Sequence, residues 1–170
     1  MDKQGKVIYG FAGCGKSTLA KKYCDKNIFI DLESSDYKYI LTDKQKLESV
    51  EERKGTKRKV NPDFPQNYFN AILDARKKYE YVFVALCGII ECSKNGVDYW
   101  MLFPDYDCKD EYIERYKERG NGKGFVRKFE ENFDNYVKMC YENKRPLCSR
   151  KIVLHKGEFL EDVLKREKII

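Results

Sequence analysis

Lys16 and Ser17 close an eight-residue run, Gly10-Phe11-Ala12-Gly13-Cys14-Gly15-Lys16-Ser17, that fits the pattern G-x-x-x-x-G-K-[ST] at every fixed position. An ammonium, a hydroxyl and three glycines at this spacing suit the binding of polyphosphate. Glycines let the main chain curl so that successive N–H groups turn toward phosphate oxygens, and the positive end of the following helix adds to the attraction. On this reading Gly10, Ala12, Gly13, Cys14, Gly15, Lys16, Ser17 and Thr18 hold ATP. Lys16 reaches the β- and γ-phosphates, and the Ser17 hydroxyl ligates Mg²⁺. The flanks agree, with apolar Val7-Ile8-Tyr9 before the run and helix-forming Thr18-Leu19-Ala20 after it. A glycine-rich turn before an ordinary helix is the alternative, and the flanks count against it.

Carboxylates follow the second apolar run. Ile28-Phe29-Ile30-Asp31-Leu32-Glu33-Ser34-Ser35-Asp36 sets Asp31 at the end of that run, with Glu33 and Asp36 behind it. In open α/β sheets ligands sit at this edge. A carboxylate there holds Mg²⁺ through water or takes the proton of an attacking hydroxyl, so Asp31 is a candidate metal and catalytic residue, and Glu33 and Asp36 are candidate substrate contacts. Helix capping or an Asx turn is the competing reading for all three. The third apolar run, Tyr81 to Leu86, passes into Cys87-Gly88 with no closing Asp, which moves the acidic metal partner toward Asp31. Gly88 either admits a substrate close to the backbone or makes a turn.

Arg115 and Arg119 stand four apart, so a helix carries them on one face, and Lys123 and Arg127 repeat the spacing past Gly120, Gly122 and Gly124. Cations that close over a transferring phosphoryl group neutralise its oxygens as water leaves, and the glycines supply a hinge, so a lid is expected near 115–127. Glu111 and Glu118 are rival partners for the same arginines on a solvated face. The basic run from Arg53 to Lys59 suits a phosphorylated acceptor or a nucleic-acid backbone, but such runs are more often solvated, and this one lacks interleaved aromatics.

These groups need a frame. Short apolar runs at 6–9, 27–31, 81–86, 99–103 and 151–154 alternate with helical patterns at 17–24, 65–78, 109–119, 125–140 and 158–166, the signature of a parallel sheet wrapped by helices. The last helix is expected to bury Phe159, Leu160, Val163 and Leu164. With 170 residues, the chain fits a single domain over 1–170, with an irregular excursion near 42–64. The net charge of +6 suits an anionic ligand better than it argues for nucleic acid. The seven cysteines form no C-x-x-C pair and His155 is the only histidine, so no zinc framework is visible. An odd cysteine count, no signal peptide and no apolar run long enough for a bilayer point to a reduced, cytoplasmic protein.

The phosphate loop, the acidic end of the second strand, the strand without its Asp and the late Arg-x-x-x-Arg beside a glycine-rich break together resemble the small P-loop kinases, such as adenylate, shikimate and gluconate kinases. The stretches from Pro104 to Asn121 and from Asn61 to Tyr68 are similar to phage-type nucleotide kinases. The resemblance implies a three-layer α/β sandwich of about five parallel strands in order 2-3-1-4-5, Mg-ATP as donor, a mobile lid and an acceptor site beside the second strand. It also implies that Asp31 matches the acid of shikimate-type kinases, that Glu33 lies near the acceptor, and that Arg115 and Arg119 are lid or lid-base arginines. Glu33 stands where a second Asp is usual, and no acceptor signature is recognisable. The expected activity is γ-phosphoryl transfer to a small acceptor, a nucleoside or nucleoside monophosphate ranking first, with Lys16, Asp31, Arg115 and Arg119 catalytic. A polynucleotide 5′-hydroxyl kinase and a non-catalytic, nucleotide-gated regulatory protein are the alternatives. The sequence leaves the acceptor and the oligomeric state open.

Overall fold

Apolar residues fall on alternate faces of the central strands, so both faces need cover. The structure, a computed structural model, describes residues 4–53 and 56–170. In chain order its elements are β1 (Lys6–Gly10), α1 (Lys16–Lys22), β2 (Phe29–Asp31), α2 (Ser35–Lys38), β3 (Tyr39–Ile40), α3 (Asp43–Leu47), α4 (Val50–Arg53) and β4 (Lys59–Val60). There follow α5 (Gln66–Arg76), β5 (Tyr81–Val84), α6 (Leu86–Lys94), β6 (Tyr99–Pro104), α7 (Lys109–Glu118), α8 (Lys123–Tyr141), β7 (Cys148–Leu154) and α9 (Leu160–Arg166).

Five strands form one sheet in the order β2-β5-β1-β6-β7, and all four pairings are parallel. Ile8 lies opposite Phe83 on one side and Trp100 on the other, while Asp31 pairs with Phe83 at the carboxyl end of β2. One face of the sheet sends Val7, Tyr9, Val84 and Phe103 into a core with Ile72, Phe133 and Val137 from α5 and α8. The other sends Ile8, Phe83 and Leu102 against Leu19 of α1 and Leu160 and Val163 of α9. Helices therefore cover both faces, as parallel sheets require. Among the described residues no helix is long and apolar enough to cross a membrane.

Over all seven strands the order differs from the expected 2-3-1-4-5. The cause is an insertion: β3 and β4 pair antiparallel as a separate two-stranded sheet, between the second and third strands of the main one. Taken alone, the five sheet strands run second, third, first, fourth, fifth. The excursion thus begins at Tyr39, earlier than expected, and carries α3, whose Thr42 and Gln45 form a reciprocal cap. Two further boundaries moved. The strand expected over 27–31 starts at Phe29, because Asn27 turns into the left-handed region (φ 51°). The strand expected over 81–86 stops at Val84, and α6, not anticipated, begins two residues later.

Candidate active site

The loop between β1 and α1 is pinned from several directions. Gly13 (φ 82°) and Gly15 (φ 101°) adopt left-handed backbone that other residues enter at a cost. Gly13 is constrained twice, since a Cβ there would lie 2.6 Å from Cε1 of the buried Tyr116. The Tyr116 hydroxyl donates to the Ala12 carbonyl at 2.7 Å, and the Leu160 amide at the start of α9 donates to the Cys14 carbonyl at 3.0 Å. Phe11 plugs into the core, its ring meeting Tyr112, Phe129 and Phe133 edge-on at 5.6 to 5.9 Å. Lys16 curls back over the loop, its Nζ donating to the carbonyls of Gly10 (2.8 Å) and Phe11 (3.1 Å). A Cβ on Gly10 would lie 2.5 Å from Lys16 Cδ, so the glycine makes room for the lysine stem. Burial pushes the Cys14 thiol above its ordinary range despite Lys16 beside it, which leaves it a neutral packing group rather than a nucleophile.

Parallel pairing on either side of β5 brings the end of β2 beside α1. There the Ser17 hydroxyl donates to Asp31 Oδ2 at 2.6 Å. Both residues, with Lys16, Thr18 and Glu33, line a cleft of about 860 Å³. Glu33 also accepts from the Ser35 amide at 3.2 Å, so the turn reading and the site reading both apply to it. Arg115 and Arg119 line the same cleft. Arg115 is 8% exposed; it pairs with Glu111, donates to the Glu158 carbonyl at 3.1 Å and lies 3.9 Å from the centre of the Phe159 ring.

Other expected site residues lie elsewhere. Asp36 is not on the cleft wall; it binds Nη1 of the buried Arg53 at 2.7 Å and so fastens α2 to α4. Gly88 sits in the first turn of α6, where a Cβ would meet Val84 (2.9 Å), Ile72 (3.1 Å) and Tyr68 (3.1 Å), so it serves the packing of α6 on β5 and α5 rather than a substrate. The basic run is divided: Arg53 is buried, Lys54 lies outside the described residues, and Arg58 stacks on Tyr39 at 4.1 Å. The segment expected as a lid is the turn of a packed helical hairpin. Tyr116 and Phe129 from α7 and α8 meet at 4.8 Å, and Arg127 is occupied with Glu131 at 2.7 Å.

Three contributors were not anticipated as site residues. Phe159, expected in the core, is 51% exposed on the cleft wall, because α9 starts one residue after it. Tyr116, read only as an apolar face, buttresses the loop through its hydroxyl. Asn121 lines the cleft with a buried Oδ1 that has no partner among the described residues. Only the place of Asn121 just after the seventh helix and of Phe159 just after the last strand hinted at them.

The donor set fits magnesium. Among the described residues no group of three His, Cys, Asp or Glu side chains is arranged to hold a metal by itself. Mg²⁺ asks less of the protein: it keeps waters, takes phosphate oxygens and needs one or two hard oxygen ligands. Ser17 Oγ and Asp31 Oδ2, side by side on the cleft floor, supply that pair.

No protein-family model matches the chain, and no curated protein does. Among solved structures it is similar to an uncharacterized protein from Eubacterium ventriosum ATCC 27560, with a TM-score of 0.51 and 18% identity over 99% of this chain and 98% of that one. At that identity the likeness concerns the fold: a parallel α/β sheet flanked by helices.

Proposed function

We propose that the chain is a P-loop kinase-like phosphotransferase that moves the γ-phosphoryl group of Mg-ATP to a small hydroxyl-bearing acceptor of the nucleoside or nucleoside monophosphate class. The observation that carries this reading is the 2.6 Å hydrogen bond between Ser17 and Asp31, which joins the end of the phosphate loop to the end of β2 within one cleft.

The residues divide the work by position. Main-chain amides of Gly13 to Thr18, at the head of α1, offer donors to the donor phosphates, and Lys16 adds a mobile ammonium. Ser17 and Asp31 would hold magnesium, which would supply charge neutralisation for the phosphates. In the transfer the acceptor oxygen bonds to the γ-phosphorus while the bond from that phosphorus to the β–γ bridging oxygen breaks, and its electron pair leaves with ADP. The acceptor proton passes to Asp31. Arg115 and Arg119, which line the same cleft, would balance charge on the equatorial oxygens.

A coupled assay of ADP release against a panel of nucleosides and nucleotides tests the reading. Turnover that depends on an acceptor and disappears in Asp31→Asn is the expected result; no acceptor-dependent turnover across the panel defeats the transfer step.

A further inference from the structure

Helices distant in sequence fasten the peptide planes of the phosphate loop. The Tyr116 hydroxyl on α7 donates to the Ala12 carbonyl at 2.7 Å, and the Leu160 amide at the start of α9 donates to the Cys14 carbonyl at 3.0 Å. The peptides that follow Ala12 and Cys14 are trans, so in each plane the carbonyl and the N–H point in opposite directions. Holding the Ala12 carbonyl toward the buried Tyr116 turns the Gly13 N–H away from the core. Holding the Cys14 carbonyl toward α9 turns the Gly15 N–H away from that helix. Both glycines line the cleft, and among the described residues neither amide donates to a protein oxygen.

Tyr116 is suited to keep such a direction fixed. Its ring packs against Phe125 at 5.2 Å and Phe129 at 4.8 Å, and burial pushes its hydroxyl far above the ordinary range, so the hydroxyl keeps its proton. Tyr112, one turn earlier on α7, supplies the contrast. Its hydroxyl is buried too, and has no hydrogen-bond partner among the described residues.

This further step rests on the phosphotransferase reading. We propose that Tyr116 is a positioning residue, whose hydroxyl aims the Gly13 amide at a phosphate oxygen of the bound nucleoside triphosphate. In this way α7 contributes to phosphate binding through the loop. An amide already turned toward its ligand bonds without reorientation, and a plane released from the hydroxyl must first be ordered. Tyr116→Phe keeps the ring and removes only the hydroxyl, and is expected to weaken binding of a non-hydrolysable Mg-ATP analogue about 10-fold.

Titration calorimetry on the full chain compares wild type with Tyr116→Phe and Tyr112→Phe, with melting curves establishing that each variant folds. Tyr112→Phe should bind the analogue as wild type does. A Tyr116→Phe variant that melts earlier but binds as tightly as wild type overturns the proposal, since its hydroxyl would then be structural only. Equal weakening in both variants also overturns it, because a loosened helix rather than an aimed amide would be the cause. In isotopically labelled wild type, the Gly13 amide proton resonance should move downfield when the analogue is added, and this movement should shrink in Tyr116→Phe. A Gly13 resonance that stays in place in analogue-bound wild type overturns the proposal whether or not the variant folds, and leaves the phosphate-loop reading intact. If wild type fails to bind the analogue at all, the underlying reading falls and the proposal with it.

Discussion

Lys16 carries the only ammonium that the fold lays across the phosphate loop, held there by two carbonyls of the loop among the described residues. Phosphate oxygens compete for its protons through charge-assisted bonds, each worth about 1.5–3 kcal/mol. Lys16→Ala is therefore expected to weaken ATP binding by about 10- to 100-fold in calorimetry while leaving the melting temperature nearly unchanged. Gly13 behaves in the opposite way. Its left-handed backbone and the Tyr116 ring 2.6 Å from a would-be Cβ make Gly13→Ala a structural lesion. Adding a backbone penalty of about 1–2 kcal/mol to overpacking gives roughly 2–4 kcal/mol, or a fall of roughly 5–12 °C in melting temperature.

Among the elements, α6 provides a discriminating case. In an ordinary helix Gly→Ala gains about 1 kcal/mol. At position 88 the new methyl would press on the Val84 Cβ at 2.9 Å and on Ile72 and Tyr68 at 3.1 Å. The balance is a net loss of about 1 kcal/mol for Gly88→Ala in urea denaturation, with ATP affinity unchanged. A gain in stability, or altered acceptor binding, would show that the packing account of Gly88 is mistaken. That same glycine explains why α6 was not legible in the sequence: it interrupts a short apolar helix whose start follows directly on a strand. The sheet strands were legible because their continuous apolar runs reflect burial on both faces, and the phosphate loop because its requirements are local and fixed in spacing. The β3–β4 hairpin was not, since strands of two residues leave no alternation to read. Phe159 was misjudged in burial because a long-range contact between α7 and the turn before α9 decides it, and no periodicity within either segment encodes that contact.

For the whole molecule, the ion pairs of Glu161 add a contribution that acid removes. Glu161 of α9 accepts from Lys22 of α1 at 2.8 Å and from Lys165 at 2.9 Å, and these hydrogen bonds hold its carboxyl down at about 2 from an ordinary 4.5. A carboxyl depressed in the folded state stabilises it above the unfolded pKa, and that contribution is lost as pH falls through the folded pKa. The melting-temperature difference between wild type and Glu161→Gln should accordingly be constant above about pH 5 and shrink on acidification toward pH 2. A difference that stays flat across this range would remove the tie between α1 and α9. The other tie between those regions, the Leu160 amide on the Cys14 carbonyl, has a consequence in time. A ribosome finishes the loop early and the helix that steadies it about 145 residues later. At some 5–20 residues per second, a nascent chain carries the whole motif for roughly 7–30 s before that support arrives. A ribosome-stalled chain halted before Phe159 would then display every residue of the motif and still bind ATP more weakly than the released protein.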